Sequence, residues 1–145
     1  FLIPATQRGD LRQVSFDGAF GMAVGTDRTG APLVLRSVDY GHQWQQFPPP
    51  AAADLPATGR WRPTDVVYCQ HERSFMCGPG GRLFVPDAGT GTWQKFLLSS
   101  PDTTTPNLYS LFLTSSDRLY VSTSDGYILR LHPLRPQRQR LDGAE

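Results

Sequence analysis

Eleven aspartates and two glutamates supply the side-chain carboxyls with which this chain could perform acid and base work. Hydrolysis of a glycoside needs two such groups facing one cleft. Asp17, Asp65 and Asp117 fall at the ends of short β-type runs, where a loop could present them to a substrate. As turn residues that bond to nearby backbone N–H groups they need no further role. Glu72 falls in a predicted hairpin turn and Glu145 ends the chain. His42, His71 and His132 follow no ligand spacing, so neither a metal site nor a cofactor is expected. Pairing Cys69 with Cys77 would close a loop over residues 70–76, across sequence that reads as strand from Ser74 onward. Free thiols are expected instead, which favours an intracellular compartment, organelles included, over secretion.

The elements that must position these residues are strands. Runs of two-residue periodicity replace any helical pattern: Leu11–Phe16, Gly21–Gly25, Leu33–Ser37 and Trp44–Phe47; Thr64–Cys69, Ser74–Gly78, Leu83–Val85 and Trp93–Leu98; Leu108–Thr114, Arg118–Ser122, Tyr127–Leu131 and a weak run at Arg138–Leu141. Leu33, Leu83 and Ile128 occupy equivalent places, with steps of 50 and 45 residues. Four strands per unit at a period in the forties is the pattern of propeller blades. The expectation is an all-β domain over 1–145, a β-propeller segment of about three four-stranded blades at 11–47, 63–98 and 108–132, with a basic tail at 133–145. A β-sandwich of about ten strands is the alternative, because it too shows a turn every 8 to 12 residues. A content of 14 Gly and 13 Pro, with 39% apolar and 19% charged residues, suits short strands joined by turns.

One corner recurs. In Ser37-Val38-Asp39-Tyr40-Gly41-His42-Gln43-Trp44, Asp39 and Gly41 set a tight turn and Trp44 covers it. A damaged copy runs from Asp87 through Gly89 to Thr92 and Trp93, with one residue too many and Val85 in the serine position. Ser37, Asp39, Gly41 and Trp44 resemble the Asp-box, or BNR, repeat, Ser-x-Asp-x-Gly-x-Thr-Trp, of sialidases, sortilin-like receptors and photosystem assembly factors. The resemblance implies a β-propeller in which this motif is a structural corner away from the ligand face. The string Ala23-Val24-Gly25 followed by Leu35-Arg36-Ser37 is further similar to photosystem II assembly and stability factors.

The sialidase branch of that resemblance implies an arginine cluster, a tyrosine nucleophile with a glutamate base, and an acidic proton donor. Phe1-Leu2-Ile3-Pro4 is similar to the Phe-Arg-Ile-Pro stretch that supplies one arginine, but Leu2 cannot form the bidentate bond to a carboxylate. Neither glutamate stands beside a tyrosine in a recognisable context. A non-catalytic scaffold or interaction subunit of a larger complex, organellar or ribonucleoprotein, is therefore expected. A photosystem assembly factor-like protein and a fragment of a sialidase-like glycoside hydrolase are the alternatives.

Partner-binding candidates are Arg28, Arg60, Trp61, Arg62 and Arg82, in loops that would open on one face of a propeller. Arg135, Arg138 and Arg140 in the tail could lie along RNA or an acidic protein surface, although a net charge of +1 argues against a dedicated nucleic-acid binder. Apolar runs are too short for a membrane span. Three blades leave two open sheet faces, so a protein partner that completes or covers the propeller is expected. The start at Phe1 rather than Met favours a fragment or a processed subunit.

Overall fold

The computed structural model describes residues 8–56, 61–69, 73–87, 91–114, 118–131 and 141–144. Arg60, Gly89, Arg135, Arg138 and Arg140 lie outside them, as do Glu72, Asp117, Glu145, His71 and His132. The described residues form twelve strands: β1 (Gly9–Asp17), β2 (Phe20–Asp27), β3 (Pro32–Ser37), β4 (Gln45–Phe47), β5 (Asp65–Cys69), β6 (Arg73–Cys77), β7 (Arg82–Asp87), β8 (Thr92–Leu97), β9 (Leu108–Leu113), β10 (Leu119–Thr123), β11 (Ile128–Leu131) and β12 (Leu141–Ala144).

They form three separate four-stranded antiparallel sheets, each a meander in chain order. A two-sheet sandwich is thereby excluded, since the strands divide into three consecutive units. Within the stretch expected as a tail, β12 pairs with β11 through Leu141 opposite Leu131 and completes the third sheet.

The central strands of the first two sheets are apolar on both faces, and this stacks the sheets like blades. On β2, Met22 and Val24 enter one cluster and Ala23, between them, another. On β3, Val34 faces the first and Leu33 and Leu35 the second. The second blade repeats the division. Met76 and Phe84 face the first blade, whereas Phe75, Cys77 and Leu83 face the third, where they meet Leu108, Leu111, Leu119, Val121, Leu129 and Leu131. Leu33 is not the equivalent of Leu83 and Ile128. The hairpin closures from the Asp27 N–H to the Ala31 carbonyl, the Gly78 N–H to the Arg82 carbonyl and the Thr123 N–H to the Tyr127 carbonyl align Leu33 with Phe84 and Leu129 instead. Leu33 faces away from the second blade whereas Leu83 faces the third, and in a strand a one-residue slip moves a side chain to the other face, so the first step is 51 residues rather than 50 and the second stays at 45.

The first strands of the blades are also joined by side-chain bonds. The Tyr68 N–H donates to Ser15 Oγ at 2.9 Å, linking β5 to β1. Asp65 links β5 to β9: its carboxylate accepts the Leu111 N–H at 2.7 Å and the Ser110 hydroxyl at 3.2 Å. Next to it, the Thr64 hydroxyl donates to the Leu108 carbonyl at 2.5 Å. Removing the Asp65 carboxylate strands the Leu111 N–H between two packed blades. We expect Asp65→Ala to lower the unfolding free energy in urea by roughly 1–3 kcal/mol, with no change in the far-ultraviolet spectrum of the folded chain.

Cys77 is a free thiol, fully buried between the second and third blades. Burial pushes its pKa up to about 12, against a smaller opposing effect of the Thr64 hydroxyl. The Cys69 side chain lies outside the described residues. The thiolate is the reactive form, so Cys77 should resist iodoacetamide at pH 8 in the folded protein and be alkylated in urea. Mass-spectrometric mapping of the labelled peptide checks this.

Candidate functional site

Strand direction places the loops at two ends of the stack. At one end lie the β2–β3, β6–β7 and β10–β11 turns with the connections between blades. At the other lie the β1–β2 turn, the β3–β4 corner, the end of β5 with the start of β6, and the end of β7 with the start of β8.

The corner after β3 is built from side-chain bonds. The Ser37 hydroxyl donates to Asp39 Oδ1 at 2.9 Å and accepts the Gly41 N–H at 2.9 Å, while Asp39 Oδ1 also accepts the Gln43 N–H at 2.9 Å. Gly41 takes φ 83° as this turn requires, and Tyr40, a residue with a Cβ, takes φ 60°. The Tyr40 N–H donates to the Ala19 carbonyl at 2.9 Å, which ties the corner to the β1–β2 turn. Trp44 packs edge-on against Phe16 of its own blade, ring centroids 5.6 Å apart.

The second copy is built differently. Without a hydroxyl at Val85, Asp87 pairs with Thr92 across a hairpin, and the Gly91 N–H closes the turn on the Asp87 carbonyl at 2.9 Å. Trp93 leaves its own corner for the first blade. Its Nε1–H donates to the Pro48 carbonyl at 2.7 Å and its ring meets Phe47 at 5.6 Å. The arrangement of Ser37 and Asp39 does return in the third blade, but in the β10–β11 turn. There the Thr123 hydroxyl donates to Asp125 Oδ1 at 2.5 Å and accepts the Tyr127 N–H at 3.0 Å, and the Ser100 hydroxyl donates to the same carboxylate. The sequence signal was Thr123-x-Asp125, a hydroxyl two residues before a carboxylate, in a turn where no corner was sought.

These bonds hold three carboxyls below their ordinary range: Asp39 mainly through the Gln43 N–H, Asp27 mainly through the Thr29 hydroxyl, and Asp125 mainly through the hydroxyls of Ser100 and Thr123. Tyr127 is shifted upward, chiefly because its hydroxyl donates to the Asp102 carboxylate.

Asp17 and Asp65 do not form an acid and base pair. They stand at opposite ends of neighbouring inner strands, and Asp65 is engaged by β9. Among the described residues no group of three or more His, Cys, Asp or Glu side chains could hold a metal ion. Also among them, no helix is long and apolar enough to cross a membrane.

The arginine-rich loops divide. Arg28 and Arg62 are exposed. Arg82 is half-buried and donates to the carbonyls of Asp54 at 2.9 Å and Gly80 at 3.2 Å, which fastens a blade connection to the β6–β7 turn. Trp61 is 3% exposed, so its ring is not available to a partner. It seals the blade, edge-on to Phe84 at 5.2 Å, with Nε1–H donated to the Pro79 carbonyl at 3.0 Å.

The cavity that could take a ligand lies elsewhere, between the first two blades at the end that carries the Ser37–Trp44 corner. It has a volume of ≈ 210 Å³ and is lined by Met22, Arg36 and Phe47 of one blade and Tyr68, Ser74, Pro86, Asp87 and Gly91 of the other. The cross-strand register explains it. Met22 sits beside Arg36, and on the facing sheet Tyr68 sits beside Ser74. Two residues deeper, Val24, Val66, Met76 and Phe84 fill the interface, whereas Ser74 is too small to do so. Sequence reading missed this site; its signals were Ser74 ahead of Phe75-Met76-Cys77 and Arg36 after Leu33-Val34-Leu35.

No protein-family description matches the chain, and no curated protein matches it either. Solved structures do. YCF48 from Cyanidioschyzon merolae superposes with a TM-score of 0.62 at 21% identity, over 88% of this chain and 38% of that one. The fold is that of a β-propeller segment. YCF48 bound to D1 peptide superposes with a TM-score of 0.60 at 17% identity, over 100% of this chain and 42% of that one. The chain thus spans about two fifths of the length of these propellers.

Two outcomes follow for the β3–β4 corner. Tyr40 is 69% exposed and holds a left-handed backbone, so Tyr40→Gly should raise stability in urea by about 1 kcal/mol. A carboxyl with a depressed folded pKa stabilises the fold above its unfolded pKa and loses that contribution as pH falls through the folded value. Asp39→Asn should therefore be less stable than the parent at neutral pH. The difference between them should close as pH falls from about 5 to about 2, in denaturation curves recorded side by side.

Proposed function

We propose that the chain is a non-catalytic β-propeller interaction module that binds an extended peptide segment of a protein partner within a larger complex. The observation that carries this reading is the partly open, mostly apolar cleft between the first two blades, in a fold similar to a YCF48 propeller solved with a D1 peptide. Clefts of this kind, apolar with a few polar groups, are common seats of recognition. Among the described residues the cleft lining includes a single carboxylate, Asp87, where glycoside hydrolysis needs a facing pair. The likeness to YCF48 favours a photosystem assembly factor-like role over a sialidase-like fragment.

Arg28, Arg62 and the tail arginines are proposed as secondary contacts to the same partner. The Ser37–Trp44 and Asp87–Trp93 corners are proposed as structural Asp-box elements, intact in the first blade and degenerate in the second. A complementary blade, from further sequence or from a partner, is proposed to cover the outward face of the third sheet, where Phe112 and Ile128 are exposed.

Selection of random extended peptides on the immobilised chain tests the reading. Enriched peptides should bind the purified chain in calorimetry with dissociation constants of about 1–100 μM, and scrambled versions should not. An absence of enrichment, or turnover of a fluorogenic sialoside, would overturn it.

A further inference from the structure

We infer that the cleft between the first and second blades is a pocket for one bulky apolar side chain, of leucine, methionine or phenylalanine type, with the flanking peptide amide held at the rim by Arg36 and Asp87. The inference rests on the interaction-module reading and specifies the partner's chemistry.

Size comes first. A volume of ≈ 210 Å³ lies below the roughly 300 Å³ at which pockets begin to enclose a drug-sized molecule. It suits a single large side chain. The walls are apolar on both sides, with Met22 and Phe47 from the first blade and Tyr68 and Pro86 from the second. Met22 and Tyr68 are 1% and 6% exposed, so both are fixed by packing. Phe47 is braced by Trp93, whose indole N–H is itself anchored on Pro48. A preformed apolar socket binds an apolar group without the ordering that a mobile surface would require.

The polar groups select an amide over a free hydrocarbon or an anion. Arg36 and Asp87 bring opposite charges to one lining. A guanidinium has five N–H donors and a carboxylate about four acceptor positions, so each keeps capacity beyond one partner. A guanidinium matches a peptide C=O and a carboxylate matches a peptide N–H. A fatty chain would use neither charge, and a lone anion would be repelled by Asp87.

The test uses the full chain, isotopically labelled, titrated with N-acetyl-phenylalanine amide and N-acetyl-leucine amide, with N-acetyl-lysine amide as the control. The two apolar probes should produce saturable shifts confined to Met22, Phe47, Tyr68, Ser74 and their neighbours, and the lysine probe should not. Ser74→Leu, which fills the socket from within, should weaken the apolar probes about tenfold or more. Asp87→Ala, at an exposed position, should weaken them several-fold without altering the fold. Shifts centred elsewhere, or full binding by a folded Ser74→Leu chain, would overturn the pocket. The shift map of the parent chain decides the matter even if Ser74→Leu does not fold. Selected peptides that bind equally well to Ser74→Leu would remove the pocket and leave the interaction module standing. Capped amino acids that fill the cleft while no peptide is enriched would do the reverse.

Discussion

The constraint on which this structure depends is that the central strands of the first two sheets are apolar on both faces. A sheet with one apolar face can rest on a core and turn the other face to water. Here Met22 and Val24 point one way and Ala23 the other, and Phe75 and Cys77 point away from Met76. No sheet of this kind can stand alone, because burying one face leaves the other wet. At about 1.5–3 kcal/mol for each fully buried large apolar side chain, stacking against a neighbour on each side is the arrangement that resolves the conflict. The inner strands then come close enough for Ser15, Thr64 and Asp65 to bond across blade boundaries.

The carboxylates show how this scaffold uses its polar groups. Asp27 and Asp39 each gather hydroxyl and N–H donors within a turn, Asp125 gathers the hydroxyls of Thr123 and Ser100, and Asp65 ties β5 to β9. Asp65, which looked in the sequence like a candidate acid or base, is taken up in holding two blades together. The proposed recognition then falls to shape, in the cleft beside Ser74, which Arg36 and Asp87 also line.

Local features were legible in the sequence. The strand runs, the three-unit period and the corner at Ser37–Trp44 depend on residues close in the chain, and the structure forms strands and a turn there. Relations between blades were not legible. Ile128 and Leu129 are both apolar, so composition alone could not say which faces inward. Trp93 matched a corner pattern, yet its partners Phe47 and Pro48 lie some 45 residues back. Trp61 was a partner-binding candidate because its loop would open on one face of a propeller, whereas its burial depends on Phe84 and Pro79, far from it in the chain. The cleft was invisible for the same reason, since its two walls belong to different blades.

Because one apolar cluster joins only the first and second blades and another only the second and third, the two interfaces share no buried side chain. A lineage carrying such a chain can duplicate or delete one unit of roughly fifty residues and preserve every remaining contact except those at the new junction. Blade number can then drift by recombination while a cleft at one particular junction is kept. In descendants of such an architecture, the identity of a junction would outlast the count of units around it.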